Sequence, residues 1–224
     1  MQATGKLAPN TSPEGCWKRA EELYKNEGNW EDALAALHFG LQHRRTKQEK
    51  NLDILEKLMK LMIDICVDKL TMQYLKEDIG HFRNLCQHQS TNFLEKVLTY
   101  LRNKSEKTFL ELEKSYGKDK LMKILSDDPE EADENQINEI DATPEDLILI
   151  AYTGLDQLEE KQKILPKATF FLDICKSILD TLRSNSKLLV FYNETASKMF
   201  EFCKKYNCKR EYRRVSETLH SHFN

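Results

Sequence analysis

The stretch Pro166–Phe223 reads PKATFFLDICKSILDTLRSNSKLLVFYNETASKMFEFCKKYNCKREYRRVSETLHSHF, and its periodicity decides the fold. Steps of three and four residues place Phe171, Ile174, Ile178 and Leu182 on one face of a first helix. A second helix aligns Leu189, Tyr192, Ala196, Met199 and Cys203, and a third aligns Cys208, Tyr212, Val215, Leu219 and Phe223. The joint Arg183-Ser184-Asn185-Ser186 offers a serine to cap the helix that follows. Each helix carries a single apolar stripe and cannot bury it alone. The unit is therefore built to stack, and the expected class is all-α, a helical-repeat array (α-solenoid).

Composition agrees. The 224 residues include only 7 Gly and 5 Pro, fewer than a sheet protein rich in tight turns would use. Apolar residues make up 40% and charged residues 32%, enough for a core beneath a charged surface. No apolar run approaches the roughly 20 residues that span a bilayer, and the first thirty residues contain no signal core. The expectation is a cytoplasmic protein without membrane contact.

Towards the N-terminus the same grammar recurs. Residues 1–11 read as a disordered leader. Ser12-Pro13-Glu14 starts a helix with cap, proline and acid in order. It carries Trp17, Ala20 and Tyr24 and stops at Gly28, and Asn29 caps a second helix with Trp30, Ala33, Leu34 and Leu37. The spacing Trp17, Tyr24, Gly28, Trp30, Ala33, Leu37 resembles one tetratricopeptide repeat, with Trp17 and Tyr24 expected to fill space left by Ala33 and Gly40. Further helices are expected over about Glu49–Asp68, Met72–Gln87 and from Ser90 or Thr91 to Tyr116, where Gly117 is a stop. After the acidic segment Asp127–Glu139, Thr143-Pro144-Glu145 restarts a helix that Gly154 should end. The domain reading is a helical-repeat region over 12–117, an acidic, partly disordered linker over 118–142, and a second helical-repeat region over 143–224.

The formal charge of −3 conceals a division. From Ile124 to Glu160 there are 13 acidic residues and no Lys or Arg, which leaves 24 acidic against 34 basic residues elsewhere, a net of +10. A basic body with an acidic insertion suits an anionic partner; a solvated surface with an acidic linker accounts for the same numbers. The sharpest cluster is Lys204, Lys205, Lys209, Arg210, Arg213 and Arg214, around the last joint. His43, Arg44, Arg45 and Lys47 form a smaller patch. Either could meet RNA phosphates or an acidic protein face. With Tyr212 read as inward-facing, no aromatic residue joins the large patch, so base reading is not expected.

Catalytic chemistry finds no foothold. There is no glycine-rich phosphate loop and no nucleophile elbow, and the six histidines pair with no nucleophile. The six cysteines fall mostly on apolar stripes and read as buried free thiols. Cys203, Cys208, His220 and His222 match no standard zinc-finger spacing. The expectation is a non-enzyme with no cofactor and no metal.

The order of five segments adds a resemblance. Trp17-Lys18-Arg19-Ala20-Glu21-Glu22, Phe82-Arg83-Asn84-Leu85-Cys86-Gln87, the restart at Thr143-Pro144-Glu145, Leu182-Arg183-Ser184-Asn185-Ser186 and Phe202-Cys203-Lys204-Lys205-Tyr206 are similar, in sequence and spacing, to the N-terminal part of the eIF3a family, the a-type subunits of eukaryotic translation initiation factor 3. Similarity runs from about Glu14 onward; the leader and Glu113–Glu139 depart from the pattern. The resemblance implies a tetratricopeptide-like right-handed superhelix leading toward a PCI domain not contained in this chain. It implies a scaffold in translation initiation that docks on the small ribosomal subunit near the mRNA exit. Implied partners are ribosomal proteins there, rRNA, mRNA and other subunits of the factor, especially its c subunit. The alternatives on residues alone are another PCI-type scaffold, from a proteasome lid or signalosome, or a peptide-binding repeat protein.

Overall fold

A computed structural model describes residues 12–42, 52–86, 91–126, 144–183 and 185–223, with backbone only for 26–27, 144–159 and 223. Residues 1–11, the acidic run 127–139 and the patch 43–47 lie outside the described residues. Every regular element among those described is helical. In chain order the α-helices are α1 (Pro13–Glu22), α2 (Trp30–Gln42), α3 (Leu52–Lys69), α4 (Leu75–Cys86), α5 (Thr91–Tyr116), α6 (Lys118–Leu125), α7 (Pro144–Leu182), α8 (Leu189–Lys205) and α9 (Lys209–Phe223). They divide into two compact units: 1–104 with 186–188, and 105–185 with 189–224.

The first unit begins as its sequence dictates. Ser12 Oγ accepts a hydrogen bond from the Gly15 amide at 3.1 Å and Pro13 opens the helix. A single wide turn, Leu23–Glu27, relaxes the end of α1, and Gly28 closes it at φ 65°, a left-handed conformation that glycine adopts without a Cβ penalty. Asn29 Oδ1 then accepts from the Asp32 amide and caps α2. α1 and α2 pack as a pair against α3. α3 is buried on several sides, through Ile54, Leu55, Leu58, Met59, Met62, Ile63, Ile65, Cys66 and Val67.

The contact under Gly40 differs from the expected large-over-small fit. The stripe of α1 that goes inward is Cys16, Ala20 and Leu23, and a Cβ at Gly40 would stand 2.8 Å from Cys16 Cβ and 3.4 Å from Leu58 Cδ2. Trp17 lies half-buried at the edge, where Lys57 Nζ sits 5.5 Å from its ring centre. Gly40→Ala must therefore push α1 from α2. It is expected to destabilise by about 1–2 kcal/mol, the overpacking penalty less the better helix propensity of alanine. The midpoint of urea unfolding checks this, and an unchanged or raised midpoint would mean the helices have slack at Cys16.

Polar side chains tie the pairs laterally. Tyr24 donates to Asp68 and Tyr100 to Asp64, each at 2.7 Å, and burial together with those carboxylates pushes both phenols up to about 12. Between α2 and α4 sits a more buried group. His38 Nδ1 lies 2.8 Å from Asp78 Oδ1, Asp78 is wholly buried, and its Oδ2 has no hydrogen-bond partner. Tyr74, at φ 61°, stacks on the His38 ring at 4.4 Å.

The second unit holds the C-terminal half of α5 and α6–α9. α7 runs without a break through Gly154 and Pro166, where the sequence reading ends one helix and begins another. Pro166 removes one backbone donor, but the residue is exposed, so the carbonyl it frees can meet water. Ile164, Ala168, Phe170 and Phe171 are buried on either side of it and hold the helix to its neighbours. Of the expected stripes, Phe171, Ile174, Ile178, Leu182, Tyr192, Ala196, Met199, Cys203, Cys208 and Val215 are buried. Leu189 and Tyr212 are not, at 48% and 37% exposure, Leu219 is half-buried, and the side chain of Phe223 lies outside those described. Leu188, in the short 3-10 turn Ser186–Leu188 that belongs to the first unit, is buried. All six cysteines are buried free thiols.

Candidate functional site

The joint between α8 and α9 is built by residues 202–209. Phe202, Cys203, Tyr206 and Cys208 turn inward. Asn207 takes φ 55°, the Cys208 amide donates back to the Cys203 carbonyl at 2.9 Å, and the Tyr206 amide donates to the Phe202 carbonyl at 3.1 Å. This is the left-handed helix stop that asparagine tolerates better than any residue but glycine. Asn207 Nδ2 also donates to Ser126 Oγ at 3.1 Å, and Cys208 Sγ lies 3.5 Å from the Leu125 carbonyl, which fastens the joint to the end of α6. With the inward positions filled, the lysines and arginines between them must face water.

All six predicted cations of this joint are exposed: Lys204, Lys205, Lys209, Arg210, Arg213 and Arg214. The structure does not use them alike. Lys204, Lys209 and Arg213 line one shallow hollow, whose floor is Cys203 and Cys208 and whose wall includes Asn207 and Tyr212. Lys205 turns away and donates to Glu113 at 2.8 Å, and that hydrogen bond holds its ammonium above the ordinary lysine range. Arg214 donates to Glu211, which also accepts from Lys176 at 2.9 Å. Partial burial pushes Glu211 up, but the Lys176 and Arg214 bonds outweigh it and hold the carboxyl below its usual range. Arg210 stands outside the hollow. The smaller patch, His43, Arg44, Arg45 and Lys47, lies outside the described residues.

Chemically the hollow gathers three exposed cations, Lys204, Lys209 and Arg213, on one joint. It suits phosphate or carboxylate oxygens. Among the described residues no group of histidine, cysteine and carboxylate side chains is disposed to hold a metal, and no helix is long and apolar enough to cross a membrane. The residues that sequence reasoning missed are Asn207, Tyr212 and the carboxylates Glu113 and Glu211. Tyr212 was legible in part. Positions 209, 212 and 213 share a helix face, so the ring belongs with Lys209 and Arg213 as much as with Val215.

Paired amphipathic helices, a glycine where two helices touch, and a charged joint define an all-α helical-repeat protein of tetratricopeptide type. The comparison with known families makes this specific: the chain belongs to the family described as eIF3a, PCI domain, TPR-like region, whose model matches residues 14–224. It is 33% identical over 218 residues to the A subunit of eukaryotic translation initiation factor 3 from Arabidopsis thaliana, covering 96% of this chain and 21% of that protein. The proteins of the same name from Nicotiana tabacum and Nematostella vectensis are 31% and 29% identical, over 96% and 95% of the chain and 21% and 22% of the relatives. The chain thus spans about a fifth of the length of these relatives.

Proposed function

We propose that this chain is a non-catalytic scaffold of translation initiation factor 3, and that it docks on the small ribosomal subunit near the mRNA exit and supports mRNA recruitment. The factor comes from the names of its relatives. The docking face comes from one observation: Lys204, Lys209 and Arg213 converge on a single hollow, on a joint whose turn is made by Asn207. Cations held this way meet an rRNA or mRNA backbone without prior folding, and each phosphate they neutralise releases counterions. The paired helices supply surface for the other components of the factor, including its c subunit, and the working compartment is the cytoplasm.

Co-sedimentation with purified small ribosomal subunits across a salt series tests this reading. Binding should fall steeply with salt. The triple reversal Lys204→Glu, Lys209→Glu, Arg213→Glu should weaken it about tenfold or more near 100 mM salt and flatten the salt slope by roughly 2. Far-ultraviolet circular dichroism should not change, because all three side chains are exposed. Unaltered binding by the triple variant would remove this hollow from the docking surface.

A further inference from the structure

The hollow holds more than charge. Tyr212 is among the few large apolar side chains that the described residues leave exposed, at 37%, and it lines the same hollow as Lys204, Lys209 and Arg213. Its ring is not loose. Phe200 packs against it with centroids 4.9 Å apart and planes inclined at 55°, while Cys208 and Val215 occupy the inward positions on either side of it along the chain. The ring is therefore braced from α8 and kept at the surface. Lys209 and Arg213 flank it on its own helix, and Lys204 stands on the other wall.

We propose that this hollow seats an unpaired nucleotide of single-stranded RNA, with the base stacked on Tyr212 and the neighbouring phosphates held by Lys204, Lys209 and Arg213. The inference rests on the reading of this face as a docking surface and names what it docks. An acidic peptide would use the three cations but has nothing to lay on an exposed ring. A nucleotide uses both, since every base presents a π-face and every link a negative charge. Double-stranded RNA is excluded by geometry: its bases are stacked on one another, and its deep, narrow groove does not admit a ring fixed to a helix. Asn207 Nδ2 donates to Ser126 Oγ and steadies that wall, and because stacking on a ring tolerates any base, little sequence preference follows.

Fluorescence anisotropy on the whole chain tests this with three probes at low salt: an oligoadenosine octamer, an abasic octamer of equal charge, and an octaglutamate peptide. The oligoadenosine should bind at least fivefold tighter than the abasic strand, the lower end of what stacking on one aromatic ring provides. Tyr212→Ala should erase that difference and Tyr212→Phe should keep it. Both variants should retain wild-type circular dichroism, because the side chain is at the surface. Equal binding of the base-bearing and abasic strands would overturn the proposal, as would octaglutamate binding as tight as oligoadenosine and indifferent to Tyr212→Ala. The ribosome experiment is separable. Loss of ribosome binding on charge reversal, together with equal binding of the two strands, would leave docking in place and remove the nucleotide seat. Preference for the base-bearing strand without ribosome binding would do the opposite.

Discussion

Phe202→Ala is expected to lower the unfolding free energy of the second unit by about 3–5 kcal/mol, the range for removing a buried phenyl ring from a packed site. Phe202 is 7% exposed and sits among three other aromatic residues. Its centroid lies 4.9 Å from Phe109, 5.3 Å from Phe171 and 4.8 Å from Tyr206, and Phe109 meets Tyr206 edge-on at 5.3 Å. One ring thus fastens α8 to both α5 and α7. The tilted and edge-on geometries add to the area term, because ring edges meet ring faces. Salt bridges over the cluster, Lys198 to Glu106 and Lys205 to Glu113, are partly exposed and contribute far less. Thermal unfolding should show a drop of about 10–20 °C in Tm. Leu110→Ala on the same rim, where the side chain is 41% exposed, should cost under about 1 kcal/mol. If Phe202→Ala proved as mild as Leu110→Ala, the cluster would not be the closed core described. The ring also precedes Cys203 and Lys204 in the chain, so the same variant should loosen the wall of the basic hollow and weaken anion binding without removing any charge.

The class of fold was legible because the signal is periodic. A stripe such as Phe171, Ile174, Ile178 and Leu182 can be read from spacing alone, and so can a start such as Ser12-Pro13-Glu14. What escaped was decided by partners far away in sequence. The continuity of α7 through Gly154 and Pro166 runs against local propensity. At Pro166 packing outweighs one missing hydrogen bond, which no local rule weighs. Gly40 was correctly marked as a small residue in a close contact, but its partner is Cys16 rather than the neighbouring Trp17, a rotation of one residue around α1. At the candidate site the cations were visible as a cluster. Their division into Lys204, Lys209 and Arg213 around a hollow, with Lys205 and Arg214 in ion pairs, depends on Glu113, 92 residues before Lys205, and on Glu211 bridged to Lys176. Tyr212 was misread for a related reason. A stripe rule treats any aromatic at the right spacing as core, whereas Val215 and Cys208 already fill the inward places.

The stability of the first unit should carry a pH dependence of unusual sign that traces to Asp78. Most carboxylates in folded proteins are held below their free values, as Glu56 is by hydrogen bonds from Lys60 and Lys96, and they stabilise more as pH rises. Asp78 runs the other way. Burial pushes its carboxyl from 3.8 up to about 6, with Glu77 adding to the rise and His38 and His81 opposing it. The geometry explains why His38 does not win. Gln42 Nε2 lies 3.0 Å from His38 Nε2 and 2.8 Å from Glu77 Oε1, an arrangement satisfied when the amide donates to both and His38 Nδ1 donates to Asp78. A histidine so arranged gives Asp78 Oδ1 one hydrogen bond and leaves Oδ2 without any. Between pH 4 and 6 the native state then binds more protons than the unfolded chain, so this group's contribution is fully present below about pH 4 and is lost as pH rises through about 6. The difference between the two values corresponds to about 3 kcal/mol. Asp78→Asn removes the titration while keeping an acceptor for His38. The unfolding free energy of the variant, measured against the wild type by urea titration at pH 4, 5, 6 and 7, should therefore improve in relative terms by about 2 kcal/mol across the series, since part of the linkage already lies below pH 4. A difference constant with pH would mean that the carboxylate is already satisfied when charged, by a group or a water that reaches Oδ2.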